Sequence, residues 1–106
     1  MLRWKGHTVQ DLDTLREMAH ELDKNDDYEG AEAKYHELLE AVKHLLPLAS
    51  EAAAGLAYEV AVFYAHNDDM AKADQVLDDL SAQFTQRWGS GHEKTVKHYS
   101  TVGSLL

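Results

Sequence analysis

The sequence predicts an all-α fold, and three observations lead to this prediction. Apolar residues recur every three or four positions along most of the chain, which is the spacing of one face of an α-helix. Glycine, proline and paired turn formers divide the chain into segments of about 15 to 20 residues, which are too long for strands and typical of helices. The turn Asn-Asp-Asp occurs twice, at positions 25–27 and 67–69, and the two copies are 42 residues apart. Together these observations predict two similar helical hairpins and one additional helix.

The first predicted hairpin covers about residues 8–46. Its first helix runs from about residue 9 to 24, and Thr8 and Asp11 have the spacing of an N-terminal capping box. Its second helix follows the turn and ends near Leu46, because Pro47 disfavours helical geometry in the residue before it. The apolar stripes of the two helices consist of Val9, Leu12, Leu15, Met18, Ala19 and Leu22, and of Tyr28, Ala31, Tyr35, Leu38, Leu39, Val42 and Leu45.

The second predicted hairpin covers about residues 49–88. Its first helix, about 49–66, is apolar around more of its circumference than the others, and such a helix is expected to be central. Its second helix carries the apolar stripe that begins at Met70 and stops before Trp88. A fifth helix is predicted from about residue 92 to the last residue, 106, with Ser90 and Glu93 as a second candidate capping box.

The 42-residue offset holds beyond the two turns. Small residues coincide in the first helix of each pair, where Ala19 falls on Ala61 and then on Gly103, and in the second helix, where Ala31 falls on Ala73. We expect these positions to lie where the two helices of a hairpin approach each other, since larger side chains would push the helices apart. A fixed period of this length, built from one helical hairpin, is typical of an α-solenoid.

These residues carry a resemblance to the tetratricopeptide repeat (TPR). Each first helix has a small residue preceded by an apolar one, and each second helix has an alanine close to its start. The 42-residue spacing, the acidic residues Glu32 and Asp74 after those alanines, and the linker at 88–95 resemble the longer repeats of kinesin light chains. The sequence departs from the family at Asp26 and Asp68, which replace the usual turn glycine. The resemblance implies a single TPR-like domain, a right-handed superhelical array of two hairpins and one terminal helix.

The resemblance also implies a function. TPR domains generally bind proteins or peptides in a concave groove lined by the first helix of each pair, so an adaptor or scaffold without catalytic activity is expected. The acidic balance of the chain favours a basic partner. The residues that the resemblance places in the groove are Asp13, Arg16, His20, Asp23, Lys24, Tyr58, Val62, His66, Lys97, Ser100 and Ser104.

The fifth helix lacks a second helix to cover its apolar edge, and three interpretations are open. The helix is itself a cap with a polar side, or the chain is a fragment of a longer array, or an exposed stripe pairs with a second copy in a symmetric dimer. The polar side would consist of Lys94, Lys97, His98, Ser100, Thr101 and Ser104. The self-association stripe would consist of Tyr99, Val102, Leu105 and Leu106.

Composition limits the other classes of function. The chain has 106 residues, of which 44% are apolar, and no cysteine, so a core without disulfides or thiolate metal sites is expected. The formal net charge of −9 repels phosphate backbones and anionic lipids, and no apolar run approaches the roughly 20 residues that cross a bilayer. We therefore expect a soluble, cytoplasmic protein that binds neither nucleic acid nor membranes.

Catalytic and metal sites are not indicated by the motifs. The sequence has no glycine-rich phosphate loop and no nucleophile elbow. Seven histidines raise the question of metal binding, but Glu17 and His20 form the only Glu-x-x-His unit, and a di-iron bundle needs two. No cofactor or metal is predicted. Two alternatives to a peptide-binding module stay open, namely a structural module that dimerises through its C-terminal helix and a helical bundle that binds a small molecule or metal.

Overall fold

The computed structural model describes residues 4–105, which form five α-helices and, apart from one isolated β-bridge, no extended pairing. The helices are α1 (Asp11–Lys24), α2 (Tyr28–Leu45), α3 (Glu51–His66), α4 (Met70–Trp88) and α5 (Glu93–Leu105). Each predicted helix is present, so the all-α prediction is confirmed. The chain divides into two compact units, Met1–Pro47 with α1 and α2, and Leu48–Leu106 with α3, α4 and α5.

In the first unit α1 packs against α2. The predicted small residues Ala19 and Ala31 are fully buried, which is consistent with the expected close approach of the two helices at these positions. The helix α2 ends at Leu45 and the backbone of Leu46 is extended, as the following proline requires. The Thr8 N–H donates to Asp11 Oδ2 at 2.7 Å and α1 begins at Asp11, so one of the two expected capping-box bonds is formed.

The segment before α1 is attached to α2. The Trp4 ring stacks on His44 with ring centroids 5.1 Å apart, and His7 Nε2 lies 3.1 Å from Glu37 Oε1. Burial raises the pKa of Glu37, but hydrogen bonds from His7 and Lys34 outweigh this effect and hold the pKa below its usual value. These contacts hold the amino-terminal segment against α2.

The two Asn-Asp-Asp turns have the same backbone geometry. Asp26 and Asp68 both have a φ of 61°, in the left-handed region that glycine adopts more easily than other residues. The next residue caps the following helix in both cases, since Asp27 Oδ1 accepts from the N–H of Gly30 and Asp69 Oδ1 from the N–H of Lys72. The sequence repeat is therefore also a repeat of local structure.

In the second unit α4 packs against both α3 and α5. Ala61 and Ala73 are fully buried, as their counterparts are in the first unit. The helix α5 turns Thr95 and His98 towards the interior. His98 is only 2% exposed, so its expected place on a polar, solvent-facing side is wrong, because its ring nitrogens find partners on α3 and α4.

Candidate functional site

The second unit contains an open cleft between α3 and α5, with a volume of about 470 Å³. Small residues on α3 leave the space for it, and an added Cβ at Gly55 would meet no atom within 4 Å. Its lining comes from the first half of α3, from one residue of α4, from the first nine residues of α5, and from one residue shortly before each of α3 and α5. These residues are Ala49, Glu51, Ala54, Gly55, Tyr58, Phe84, His92, Glu93, Lys94, Lys97, His98 and Thr101.

The floor of the cleft is built around the buried ring of His98. This ring stacks on Phe84 with centroids 4.5 Å apart and an interplanar angle of 7°. Its Nδ1 lies 2.6 Å from the hydroxyl of Tyr58 on α3, and its Nε2 lies 2.7 Å from Ser81 Oγ on α4. One side chain of α5 therefore joins the two other helices of the unit.

Both ring nitrogens of His98 meet a hydroxyl group, and Ser81 Oγ also donates to the Leu77 carbonyl at 2.9 Å. A neutral imidazole carries a single proton, so one ring nitrogen donates a hydrogen bond and the other accepts one. Burial lowers the pKa of His98, which favours this neutral form. Burial also raises the pKa of Tyr58, against the smaller opposing effect of its hydrogen bond with Thr101.

The chain Ser81, His98 and Tyr58 has the distances of a nucleophile, a base and an orienting group. Ser81, however, lies in the interior of α4, where backbone N–H groups are used by the helix instead of facing an oxyanion. This arrangement serves to hold Tyr58 in a defined position on the cleft wall.

The rim of the cleft carries charges of both signs. Lys94 and Lys97 on α5 are exposed, as are the carboxylates of Glu51 and Glu93. The Lys94 ammonium lies over the Trp88 ring, 4.6 Å from its centroid, which holds it at the end of α4. The rim is therefore locally balanced, although the whole chain has a net charge of −9.

The start of α5 is held by His92, which lies at the edge of the cleft. Its Nδ1 accepts from the Lys94 N–H at 3.0 Å, and its ring lies 5.0 Å from that of Trp88. This is an N-terminal cap made by His92, directly before the helix, where the sequence analysis expected a capping box from Ser90 and Glu93. The imidazole thereby orients the first turn of α5, whose residues Glu93 and Lys94 line the cleft.

The predicted groove residues are distributed over both units. In the second unit Tyr58 and Lys97 line the same cleft, while Val62 and His66 are exposed one and two turns further along α3. Ser100 and Ser104 are exposed on α5, where the Ser104 hydroxyl donates to the Ser100 carbonyl. In the first unit α1 exposes most of the predicted set and leaves one residue half-buried. The exposed residues are Asp13, Arg16, His20 and Lys24, and the half-buried one is Asp23.

The self-association stripe is partly accessible. Tyr99 is exposed, and Val102 and Leu105 are half-buried. Leu106 lies outside the described residues. The sequence analysis did not identify His98, Phe84 or Gly55 as parts of a site, and no local motif marks them, since they come from three different helices.

Within residues 4–105, no three histidine, aspartate or glutamate side chains come close enough together to hold a metal ion. None of the five helices combines the length and the apolar character needed to cross a membrane, over that same range. Neither a protein-family model, nor a curated protein, nor a solved structure matches the chain. The function is therefore inferred from the chain's own residues and geometry.

Proposed function

We propose that this chain is a TPR-like α-solenoid module that binds a peptide segment of a partner protein in the cleft between α3 and α5 and acts as an adaptor without catalytic activity. The observation that carries the proposal is the cleft itself, which has an apolar and aromatic floor and a charged rim. Its walls come from α3 and α5, which occupy the same position in the 42-residue repeat. In the TPR family that position lines the peptide groove.

The dimensions and chemistry of the cleft suit a short peptide segment. Its volume of about 470 Å³ falls within the roughly 300–1,000 Å³ of ligand pockets. Tyr58 offers a rigid aromatic surface, because its hydroxyl is tied to the buried His98. Such a side chain loses little conformational entropy when it packs against a ligand. Lys97 and Glu51 lie across the cleft's rim as partners for charged or polar groups of a peptide.

The charge of the ligand is set by this rim more than by the net charge of the chain. Two ammonium groups and two carboxylates line the cleft, so an overall acidic surface does not translate into an acidic site. The prediction of a basic partner therefore concerns long-range attraction by the net charge of the whole chain, and it does not describe the cleft. Inside the cleft we expect selected peptides to carry both an apolar side chain and a polar or charged neighbour.

The proposal is tested by selecting random displayed peptides on the immobilised full chain and measuring their affinities by fluorescence anisotropy. Gly55→Trp fills the cleft, since the site has room for a side chain and is exposed. We expect it to weaken binding about tenfold or more, equivalent to about 1.4 kcal/mol. Ala82→Trp is the matched control, because Ala82 is exposed on α4 and does not line the cleft. Peptides that bind both variants as tightly as the original chain would show that the cleft is not the site.

A further inference from the structure

The helix α5 is joined to α3 and α4 by polar side chains. Its buried residues are Thr95 and His98. The Thr95 hydroxyl donates to the Phe84 carbonyl at a long distance of 3.4 Å. The ring nitrogens of His98 lie closer to their partners, at 2.6 Å from the Tyr58 hydroxyl and 2.7 Å from Ser81 Oγ. The docking of α5 in the second unit therefore depends to a large extent on one imidazole.

His98 is also the group at this junction that titrates close to neutral pH. A solvated histidine has a pKa of about 6.5. The ring of His98 is 2% exposed and stacks on Phe84, and its hydrogen-bond partners are hydroxyl groups. Hydroxyl oxygens can accept from a protonated ring, but they carry no negative charge to replace its hydration. Burial therefore holds the pKa of His98 below its usual value.

The groups that face this ring from the two neighbouring helices are uncharged near neutral pH. On α3 the group is Tyr58, whose pKa is raised by burial. On α4 the groups are Ser81 and Phe84. Two carboxylates belong to the same stretches of these helices. Asp78, one turn before Ser81, is exposed, and Glu59, next to Tyr58 in sequence, lies about 100° around α3 from it.

The other charges near the ring belong to the rim of the cleft, where water screens them. They are Glu51 at the start of α3, and Glu93, Lys94 and Lys97 on α5. Two carboxylates and two ammonium groups balance each other. Tyr99 on α5, whose ring centroid lies 5.4 Å from that of His98, adds an aromatic contact and no negative charge at neutral pH. Docked α5 is therefore less stable when His98 carries a second ring proton.

The cleft exists only while α5 is docked, because this helix supplies one of the walls. Five residues of α5 line the cleft, from Glu93 to Thr101. The helices α3 and α4 pack directly on each other, so they stay together when α5 leaves. In the undocked form His98 is in water, and its pKa returns to about 6.5. Because this form binds the additional proton more tightly, acid shifts the equilibrium towards it.

We propose that His98 is a pH-sensitive latch, whose protonation releases α5 from α3 and α4 and opens the cleft. Docking is strongest above about pH 6.5, and it weakens by up to about tenfold per pH unit as the pH falls from there through the lowered pKa. A ligand that contacts both walls binds only the docked form, so acid releases it. This last step rests on the proposed function, whereas the movement of α5 does not.

The movement of α5 is tested by hydrogen–deuterium exchange of the full chain between pH 5.0 and 7.5, read by mass spectrometry. Protection factors compare each amide with an unstructured chain at the same pH, which removes the direct effect of pH on exchange. Below about pH 6.5 we expect the protection of α5 to fall by up to about tenfold per pH unit. The protection of α3 and α4 should stay constant.

The substitution His98→Gln separates the charge of the ring from its hydrogen bonds. The amide of glutamine has donors and an acceptor, so it can bond both hydroxyls as the neutral ring does, but it does not titrate. His98→Phe is a second variant, which keeps an aromatic ring against Phe84 and is used if glutamine does not support the docking of α5. Circular dichroism checks the helix content of both. We expect the protection of α5 to be independent of pH in these variants.

The matched control is His92→Asn, because His92 is the other histidine of the cleft and lies at the start of α5. Its Nδ1 accepts from the Lys94 N–H, and asparagine can make the same cap without titrating. We expect this variant to keep the pH response of the original chain. A response that is lost in His92→Asn and kept in His98→Gln would assign the effect to the cap and overturn the latch.

Release of a ligand is measured by fluorescence anisotropy with a peptide selected by display on the full chain. The peptide contains no histidine, aspartate or glutamate, so it does not itself titrate in this pH range. We expect its affinity for the original chain to be about threefold or more weaker at pH 5.0 than at pH 7.5, which corresponds to a docked fraction of about one third or less. The affinity for His98→Gln should not change with pH.

Three results would contradict these expectations. Protection of α5 that does not change with pH in the original chain would overturn the latch. Protection of α3 and α4 that falls in step with that of α5 would also overturn it, because acid would then unfold the whole unit. An affinity that stays constant while α5 loses protection would overturn the release of the ligand. If no peptide binds at either pH, the proposed function fails, and the exchange experiment still decides whether the latch exists.

Discussion

The buried imidazole of His98 offers the most direct test of how α5 is attached to the second unit. The substitution His98→Ala removes the ring that joins α3, α4 and α5. It removes the imidazole to which both Tyr58 and Ser81 are hydrogen-bonded, and it deletes the stacking contact with Phe84. Since α4 is the helix with which α5 packs most extensively, we expect the loss to fall mainly on the docking of α5.

The magnitude follows from the contacts that are lost. Each of the two hydrogen bonds contributes about 1 kcal/mol to the free energy of unfolding. The stacking on Phe84 contributes about 0.5–1.5 kcal/mol, and truncating a large buried ring to alanine leaves a cavity. We expect a total loss of about 3–4 kcal/mol, which is a large fraction of the roughly 5–15 kcal/mol typical of a domain.

The assay is urea unfolding of the full chain, followed by far-ultraviolet circular dichroism. The matched control is His20→Ala on the exposed surface of α1, for which a change within about 0.5 kcal/mol is expected. Tyr58→Phe removes one hydrogen bond and should cost about 1 kcal/mol. A loss of less than about 1 kcal/mol for His98→Ala would refute the view that this ring holds the three helices together.

Three further predictions concern pH and the turns. Burial lowers the pKa of His98 in the folded chain below the value of about 6.5 expected in the unfolded chain, so below about pH 6.5 the unfolded chain binds more protons. The stability that buried, neutral His98 contributes is therefore complete above about pH 6.5. It is lost as the pH falls through the lowered pKa, at up to about 1.4 kcal/mol per pH unit. Asp26→Gly should raise the free energy of unfolding by about 0.5–1 kcal/mol, since glycine adopts a φ of 61° without strain, whereas Asp26→Val should lower it. Gly30→Ala should also stabilise by up to about 1 kcal/mol through helix propensity, since the equivalent cap, from Asp69 to the N–H of Lys72, forms on a residue that has a Cβ, and a small shift of the Asp27 carboxylate makes room for one at position 30.

Unfolding curves measure all three, and each has an outcome that contradicts it. The His98→Ala variant lacks the titrating group, so its free energy of unfolding should not show this loss at low pH. If the difference in free energy of unfolding between the original chain and His98→Ala stays constant across pH 5–8, the pH prediction is contradicted. If Asp26→Gly is less stable than the original chain, the aspartate side chain stabilises the turn by more free energy than the strain of its positive φ costs. A destabilised Gly30→Ala would mean that Asp27 is fixed in its present rotamer, where its Oδ2 lies 2.5 Å from the position of the added Cβ.

The hairpins illustrate what can be predicted from local signals. The turn residues at 25–27 and 67–69 each combine a helix end, a left-handed aspartate and a helix cap, and all three depend on neighbours in sequence. The small residues Ala19 and Ala61 could be placed at helix contacts because the repeat aligns them. Periodicity and capping act over a few residues, so the chain's letters are sufficient to predict them.

The cleft was only partly predictable. Tyr58 and Lys97 were expected to face a groove and do line one cavity, but its floor depends on Phe84 and His98. A histidine among lysines, serines and threonines has the pattern of a solvent-facing side. It is buried because Tyr58 and Ser81, which are 40 and 17 residues away in sequence, supply partners for both ring nitrogens.

By itself, the sequence determined the five helices, their boundaries to within about two residues, and the two equivalent hairpins, since these follow from periodicity and turn chemistry over short stretches. The tertiary structure alone decided which side of α5 is buried. That helix has polar and apolar residues on several sides, so its orientation depends on the partners it finds on α3 and α4. The same choice that buries Thr95 and His98 leaves Val96 and Tyr99 exposed, because one helix cannot turn both faces towards the same neighbour.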